Sequence, residues 1–147
     1  MKQAGFTIAE TLITLIVTSF LFLISSQILH VNTSDYELKL VTDDFLTKIE
    51  YAQNRAIITG EGILVKVRQS PGKDDILFLV ERGGENHTIK QLSIPEGISY
   101  TNFREFWVKS ETGYIQPLTI NFRTEKWTRR ITFQMGMGRH KVEDIKR

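Results

Sequence analysis

The chain has 147 residues, a formal net charge of +2 and no cysteine. This length fits one domain of ordinary size plus an anchor segment. The lack of cysteine excludes a disulfide framework and a thiolate metal site, and the near-neutral charge gives no indication of nucleic-acid binding by itself.

An apolar stretch at residues 6–24 follows a short leader, residues 1–5, which contains Lys2 and ends in Gly5. The stretch has neither glycine nor proline, and its one charge is Glu10. A helix of this length, rising about 1.5 Å per residue, spans the roughly 30 Å hydrocarbon core of a bilayer. A carboxylate in such a segment costs about 3 kcal/mol and indicates a functional role. We therefore predict a membrane helix in which Glu10 requires a cationic partner.

The motif Gly5-Phe6-Thr7-Ile8-Ala9-Glu10, followed by the apolar stretch, resembles the processing site of type IV pilins and pseudopilins. The resemblance implies that a prepilin peptidase cuts between Gly5 and Phe6 and methylates the new N-terminal Phe6. It also implies that Glu10 forms an assembly salt bridge with the Phe6 ammonium of a neighbouring subunit, which would offset the burial cost of both charges. Two alternatives remain open: an uncleaved signal anchor, with Glu10 in the first helical turn, and a cleaved signal peptide.

The helical pattern continues beyond the apolar stretch, because no glycine or proline occurs between it and Gly60. Apolar residues recur at steps of three and four, which is typical of one helical stripe. The stripe comprises Leu38, Val41, Phe45, Ile49, Ala52 and Ala56. We predict one helix over residues 6–59, with Gly60 as its C-cap and residues 32–35 as its weakest point. Residues 6–29 form its transmembrane and assembly half, and residues 30–60 form its amphipathic half.

Residues 61–147 change to the two-residue period of β-strands, interrupted by turn sequences every eight to twelve residues. Strands are predicted from Ile63 to the turn at residues 70–73, and then at residues 76–81, 88–92, 98–101, 103–108, 118–124 and 129–135. In the last hairpin, Ile131, Phe133 and Met135 share the apolar face. These elements predict an α+β, pilin-like fold, in which one long N-terminal helix packs through its stripe against a small antiparallel sheet domain.

We find no catalytic constellation in the sequence and predict no enzyme activity, cofactor or metal site. The three histidines, His30, His87 and His140, are scattered and lack metal-ligand spacing.

The last hairpin carries Arg123, Lys126 and Arg130. Two interpretations remain open for them: surface charge on a solvated sheet face, which is the commoner case, and an anion or partner contact. If the hairpin loop is residues 125–128, Arg123 and Arg130 lie directly opposite each other on the outer face, where like charges are mildly destabilising. An anionic partner would relieve the repulsion between the two arginines. Two candidates are DNA phosphate and the acidic segment 35–50 of a neighbouring subunit, and the sequence favours the subunit.

The small cysteine-free domain and the ending at residues 131–139 resemble the competence minor pseudopilins of Gram-positive bacteria, of the ComGD type. The resemblance implies a filament subunit needed for uptake of extracellular DNA. Its partners would be the prepilin peptidase, the major and other minor pseudopilins, an assembly ATPase and a polytopic membrane platform protein. The chain would cross the cell membrane once, with residues 61–147 outside, and reach the cell surface after assembly. The alternatives are a minor pseudopilin of a type II secretion system and a plain membrane-anchored binding domain.

Overall fold

The computed structural model describes residues 7–28, 33–71, 73–101, 104–135 and 139–147. The chain divides into two compact units, Met1–Thr33 and Ser34–Arg147, and each is described by itself. The second unit contains both sheets and the hydrophobic core.

Two helices account for the predicted helical region. Helix α1 covers Ile8–Ile28 and helix α2 covers Thr33–Thr59. Residues 29–32 lie outside the described residues, so one uninterrupted helix over residues 6–59 stays a prediction. Helix α2 ends as predicted, because Gly60 adopts a positive φ of 67° and its N–H donates to the Ala56 carbonyl at 3.1 Å. This hydrogen bond is the pattern of a glycine C-cap.

In the described part of residues 61–147, eight strands form two antiparallel sheets, where the sequence predicted one. The first sheet has the order β3-β2-β1-β5 and the second has the order β4-β6-β7-β8. The strands are β1 Ile63–Ser70, β2 Lys73–Arg82, β3 Glu85–Ile94, β4 Ser99–Thr101, β5 Glu105–Val108, β6 Leu118–Arg123, β7 Trp127–Phe133 and β8 His140–Lys146. Strand β8 was not predicted.

The core of the second unit lies along the predicted stripe of α2. Every member of the stripe is buried, and both sheets contribute inward-facing residues to the same cluster. Phe45 of α2 is fully buried, and its ring lies 5.4 Å from that of Phe122 on β6. The prediction that the stripe is covered by antiparallel sheet is confirmed.

The prediction that Met135 lies on the apolar face of the last hairpin is wrong. Met135 is 83% exposed, because β7 ends at Phe133 and the chain then turns towards β8. The Gln134 N–H donates to the Arg139 carbonyl at 3.0 Å across this turn, and residues 136–138 lie outside the described residues.

An ion pair joins the short connection after α2 to the first sheet. The Arg82 guanidinium donates two hydrogen bonds to the Glu61 carboxylate, at 2.7 and 2.9 Å. These bonds hold the pKa of Glu61 below its usual value. Because Glu61 precedes β1 and Arg82 ends β2, the pair fixes the connection between the helix and these strands.

Gly113 docks the loop between β5 and β6 onto α2. Its carbonyl accepts a hydrogen bond from the Gln53 side chain at 3.0 Å, and its φ is +63°. A Cβ at this position would lie 3.1 Å from the Gln53 carbonyl oxygen and 3.2 Å from Ile57 Cδ1. The loop therefore depends on glycine for both its backbone conformation and its close approach.

We expect Gly113→Ala to destabilise the Ser34–Arg147 unit by more than Gly83→Ala. Gly83 has the same φ of +63°, but a Cβ there would meet nothing within 4 Å. Both changes cost about 1–2 kcal/mol for the left-handed backbone, and Gly113→Ala adds at least about 1 kcal/mol of overpacking against α2. Urea denaturation of both variants measures their free energies of unfolding. Equal losses of stability would show that the close approach of Gly113 to α2 does not add to the cost of the substitution.

Candidate assembly surfaces

Helix α1 presents an apolar surface on all sides. Its described side chains are all exposed, and its large apolar residues range from Ile24 at 50% to Ile8 at 82% exposed. An apolar surface of this extent on a soluble monomer is typical of a site that another protein or a membrane covers. No helix within the described residues is long and apolar enough to cross a membrane.

Glu10, the one charged residue among the described residues of α1, lies in the first turn of the helix. Its N–H is directed at Thr7, 3.0 Å from the carbonyl oxygen and 3.3 Å from Oγ1. Thr7 thus caps the helix, and the Thr-x-x-Glu spacing is that of a capping box. The predicted cleavage-site residues Gly5 and Phe6 lie outside the described residues, so the cleavage and the assembly salt bridge of Glu10 stay predictions.

The hydroxyl groups of α1 between Thr11 and Ser19 are satisfied by the helix itself. Thr11 Oγ1 donates to the Ile8 carbonyl at 2.8 Å, and Thr18 Oγ1 donates to the Thr14 carbonyl at 2.8 Å. Ser19 Oγ donates to the Leu15 carbonyl at 2.7 Å. Because these hydroxyl groups bond to the backbone, they require no polar partner from outside the helix. Among the described side chains of α1, Glu10 therefore differs from these hydroxyl groups, because it carries a charge.

The register of the last hairpin differs from the prediction. The loop is shorter than residues 125–128, because the Thr124 N–H donates to the Trp127 carbonyl at 2.8 Å and β7 begins at Trp127. Arg123 therefore lies opposite Thr128, and Arg130 lies opposite Asn121. The two arginines are diagonal neighbours and not a directly opposed pair.

Arg130 finds its partners within the chain. Its Nη1 lies 3.7 Å from Glu143 on β8, and its Nε donates to Asn121 Oδ1 at 3.4 Å. Glu143 also contacts Lys141 at 2.7 Å, and the Lys141 hydrogen bond is the main reason that the pKa of Glu143 lies below its usual value. The outer face of β7 and β8 is therefore largely charge-balanced, and the contact predicted for Arg123, Lys126 and Arg130 stays a prediction.

Comparisons with known proteins identify the architecture. No family model and no curated protein matches the sequence. The type IV minor pilin FimU of Pseudomonas aeruginosa is similar in structure, with a TM-score of 0.61 and 14% identity over 76% of this chain and 91% of FimU. EpsH, a minor pseudopilin from the type 2 secretion system of Vibrio cholerae, is similar with a TM-score of 0.56 and 16% identity over 75% of this chain and 97% of EpsH.

The fold is pilin-like.

In this pilin-like domain, the acidic segment 35–50 meets a basic residue of the last hairpin inside one chain. Arg129 of β7 is only 12% exposed, and its guanidinium lies 3.5 Å from Asp43 of α2 and 3.3 Å from Asp144 of β8. The sequence predicted a contact between Arg123 and Arg130 and the acidic segment 35–50 of a neighbouring subunit, and Arg129 was not among the predicted contact residues.

A cleft of about 280 Å³ lies beside Arg129, where the start of α2 faces β7 and β8. Its lining residues are Asp35, Leu38, Lys39, Trp127, Arg129 and Asp144. The part of the chain that the structure describes contains no group of three metal-ligating side chains. The cleft thus combines apolar walls with charges of both signs.

Proposed function

We propose that this chain is a minor pseudopilin, a subunit of a competence filament needed for uptake of extracellular DNA. The observation that carries the proposal is the combination of a pilin-like α+β domain with an exposed apolar helix whose first turn holds Glu10. Such a helix has no stable place in water and suits a membrane before assembly and a bundle of neighbouring helices after it.

In this proposal the chain is a structural subunit and not an enzyme. Residues 6–29 anchor it once in the cell membrane, with residues 61–147 outside, and a prepilin peptidase removes residues 1–5. An assembly ATPase and a polytopic membrane platform protein then transfer it to the filament, where it contacts the major and other minor pseudopilins. Direct contact with DNA is the less favoured part of the competence role, because Arg130 already has partners within the chain.

A second candidate is a minor pseudopilin of a type II secretion system, and the likeness to EpsH favours it. Deletion of the gene separates the two. Loss of transformation with normal protein secretion supports the competence role, and the reverse result supports secretion. The tail at residues 131–139 is the sequence feature that favours competence.

We expect the mature protein to begin with N-methyl-Phe6. Gly5→Leu should leave nearly all of the chain as precursor in the membrane, because a bulky residue before the cleaved bond blocks the peptidase. Mass analysis of the N-terminal peptide from cells measures both the identity of the N-terminal residue and the fraction of uncleaved precursor. Ala4→Leu is the matched control, since it places the same side chain one residue further from the bond. An intact Met1 on the wild-type protein would reject the pseudopilin proposal in favour of a signal anchor.

A further inference from the structure

Strand β8 forms one edge of the second sheet, because the order of the described strands places it beside β7 alone. An edge strand presents a row of backbone N–H and C=O groups that can pair with another strand. The pairing of β8 with β7 is regular over all seven residues of β8. By contrast β3, an edge of the first sheet, pairs with β2 through a register shift between Phe78 and Leu79. Strand β8 therefore offers a regular edge to which a further strand can add.

A hydrogen bond just beyond the end of β8 shows which of its backbone groups face the open edge. The Arg147 N–H donates to the Lys126 carbonyl at 3.0 Å. In an antiparallel pair, residues that exchange hydrogen bonds with the neighbouring strand alternate with residues that do not. The odd-numbered residues of β8 therefore bond to β7. The backbone groups of His140, Val142 and Asp144 are directed away from β7, towards the open edge.

The charges of β8 are arranged symmetrically about Val142. The basic residues His140 and Lys141 precede it, and the acidic residues Glu143 and Asp144 follow it. Charged side chains usually protect an edge strand from pairing, but this order makes the strand complementary to itself. In an antiparallel pairing of two copies centred on Val142, Lys141 lies opposite Glu143 of the second copy, and His140 lies opposite Asp144. Unlike charges that face each other across two strands attract.

The backbone selects the same centre for this pairing. When Val142 lies opposite Val142 of the second copy, the outward-facing groups of His140 and Asp144 also meet, as an antiparallel ladder requires. A slip that preserves the ladder moves the second copy by two residues. In one direction it places Glu143 opposite Glu143, and in the other it places Lys141 opposite Lys141. Like charges directly opposite each other are destabilising, so the charge pattern favours one register.

We propose that β8 pairs with β8 of a second copy of this chain, antiparallel and centred on Val142, so that two four-stranded sheets join into one. Lys141 and Glu143, which contact each other at 2.7 Å within one chain, then form an alternating group of four charges with their counterparts. The exposed side chains of Lys141 and Asp144 leave this edge accessible to the second copy.

The pairing differs from the packing of subunits along a filament. Its two-fold axis is perpendicular to the joined sheet, and α2 lies against that sheet through its buried stripe. The α2 helices of the two copies therefore run in opposite directions, whereas the subunits of one filament share a direction. The inference thus does not depend on the proposed function.

Cysteine crosslinking of the full chain in detergent micelles tests the pairing, because the chain has no cysteine of its own. Val142→Cys places a thiol at the centre, where hydrogen-bonded neighbours have Cα atoms about 5.5 Å apart, within the roughly 4.4–6.8 Å that a disulfide spans. Ile145→Cys is the matched control on the same strand, since its two copies would lie about 20 Å apart. Under mild oxidation, we expect Val142→Cys to give at least about tenfold more linked dimer than Ile145→Cys.

Two charge reversals in the Val142→Cys chain test the register. Lys141→Glu and Glu143→Lys each place like charges opposite each other when two identical chains pair. We expect either variant alone to give about tenfold less linked dimer. An equal mixture of the two should restore the yield as a dimer of unlike chains, because every facing pair is then of opposite charge. Mass spectrometry distinguishes the unlike dimer from the like ones, and a variant that failed to fold would not be rescued by mixing.

Three results would overturn the inference. The first is a Val142→Cys chain that links no better than Ile145→Cys, since random collision or association through α1 would then explain any dimer. The second is an unchanged yield from the single charge reversals, and the third is a mixture that gives no unlike dimer. None of these results bears on the proposed function, which the gene deletion and the N-terminal mass analysis test in cells.

Discussion

Phe45→Ala is expected to destabilise the Ser34–Arg147 unit by about 3–5 kcal/mol, the usual cost of removing a buried aromatic ring. Phe45 is fully buried at the centre of the α2 stripe, and it contacts the ring of Phe122 from the second sheet. Because the site is closed by helix and sheet, little collapse can fill the space that the ring leaves. A domain of this size has only about 5–15 kcal/mol of stability, so the variant should lose a large share of its stability.

Tyr36→Ala is the matched control for Phe45→Ala. It removes an aromatic ring from the same helix, but Tyr36 is 68% exposed, so the change should stay within about 0.5 kcal/mol. Chemical denaturation of both variants measures the free energies of unfolding. A loss below about 1 kcal/mol for Phe45→Ala would contradict the placement of this ring at the centre of the core.

A double-mutant cycle isolates the contribution of the aromatic pair. The rings of Phe45 and Phe122 lie 5.4 Å apart at 59° to each other, an edge-directed arrangement worth about 0.5–1.5 kcal/mol beyond area burial. With Phe45→Leu and Phe122→Leu, the double variant should lose less stability than the sum of the singles by this amount. This coupling would link α2 directly to the second sheet. If the losses of the two single variants simply add, the contribution of Phe45 to stability comes from its burial alone.

The α2 stripe could be predicted because its chemistry is local. Apolar residues at steps of three and four from Leu38 to Ala56 leave one way to bury them, along a single helix face. The Gly60 cap could be predicted for the same reason, since glycine after a helical pattern favours a positive φ. These features depend on residues close in sequence, and the structure confirms both.

The division into two sheets could not be predicted, because it depends on pairings between distant residues. Strand β5 crosses back to pair with β1, with Ile63 opposite Val108, and no local pattern specifies that choice. Strand β8 could not be predicted either, for a related reason. As an edge strand with charged residues on both faces, it has only Val142 and Ile145 as large apolar residues. Edge strands of this kind lack the alternation that identifies a half-buried strand.

The hairpin register illustrates how a small local contact changes the predicted site. The sequence permits loops of different lengths between β6 and β7, and the bonds between Thr124 and Trp127 select the shorter one. As a result Arg123 and Arg130 no longer face each other, and Arg129 points towards α2, where it meets Asp43. The charge complementarity recognised in the sequence thus acts within the subunit as part of its own packing.

Glu10 provides the largest expected effect on assembly. Its carboxylate is exposed in the isolated chain, on a helix whose remaining described residues are uncharged. Burial of this surface in a filament places the charge in a medium of low dielectric, where removing one partner of an ion pair costs about 3–5 kcal/mol. This cost corresponds to at least about a hundredfold loss of incorporation. We therefore expect Glu10→Val to reach the membrane and be cleaved normally but to be nearly missing from sheared filaments.

Glu10→Gln distinguishes the assembly salt bridge from the helix cap, the competing explanation for this residue. Glutamine serves a capping box as well as glutamate does but carries no charge for a neighbouring Phe6 ammonium. If the charge matters, Glu10→Gln should be as depleted from filaments as Glu10→Val. Thr7→Ala, which removes the capping hydroxyl at a cost of about 1 kcal/mol, should still be incorporated. Immunoblots of sheared filaments, normalised to the cleaved membrane pool, measure all three. Normal incorporation of Glu10→Gln would show that the residue acts through the cap and that no ion pair is needed for assembly.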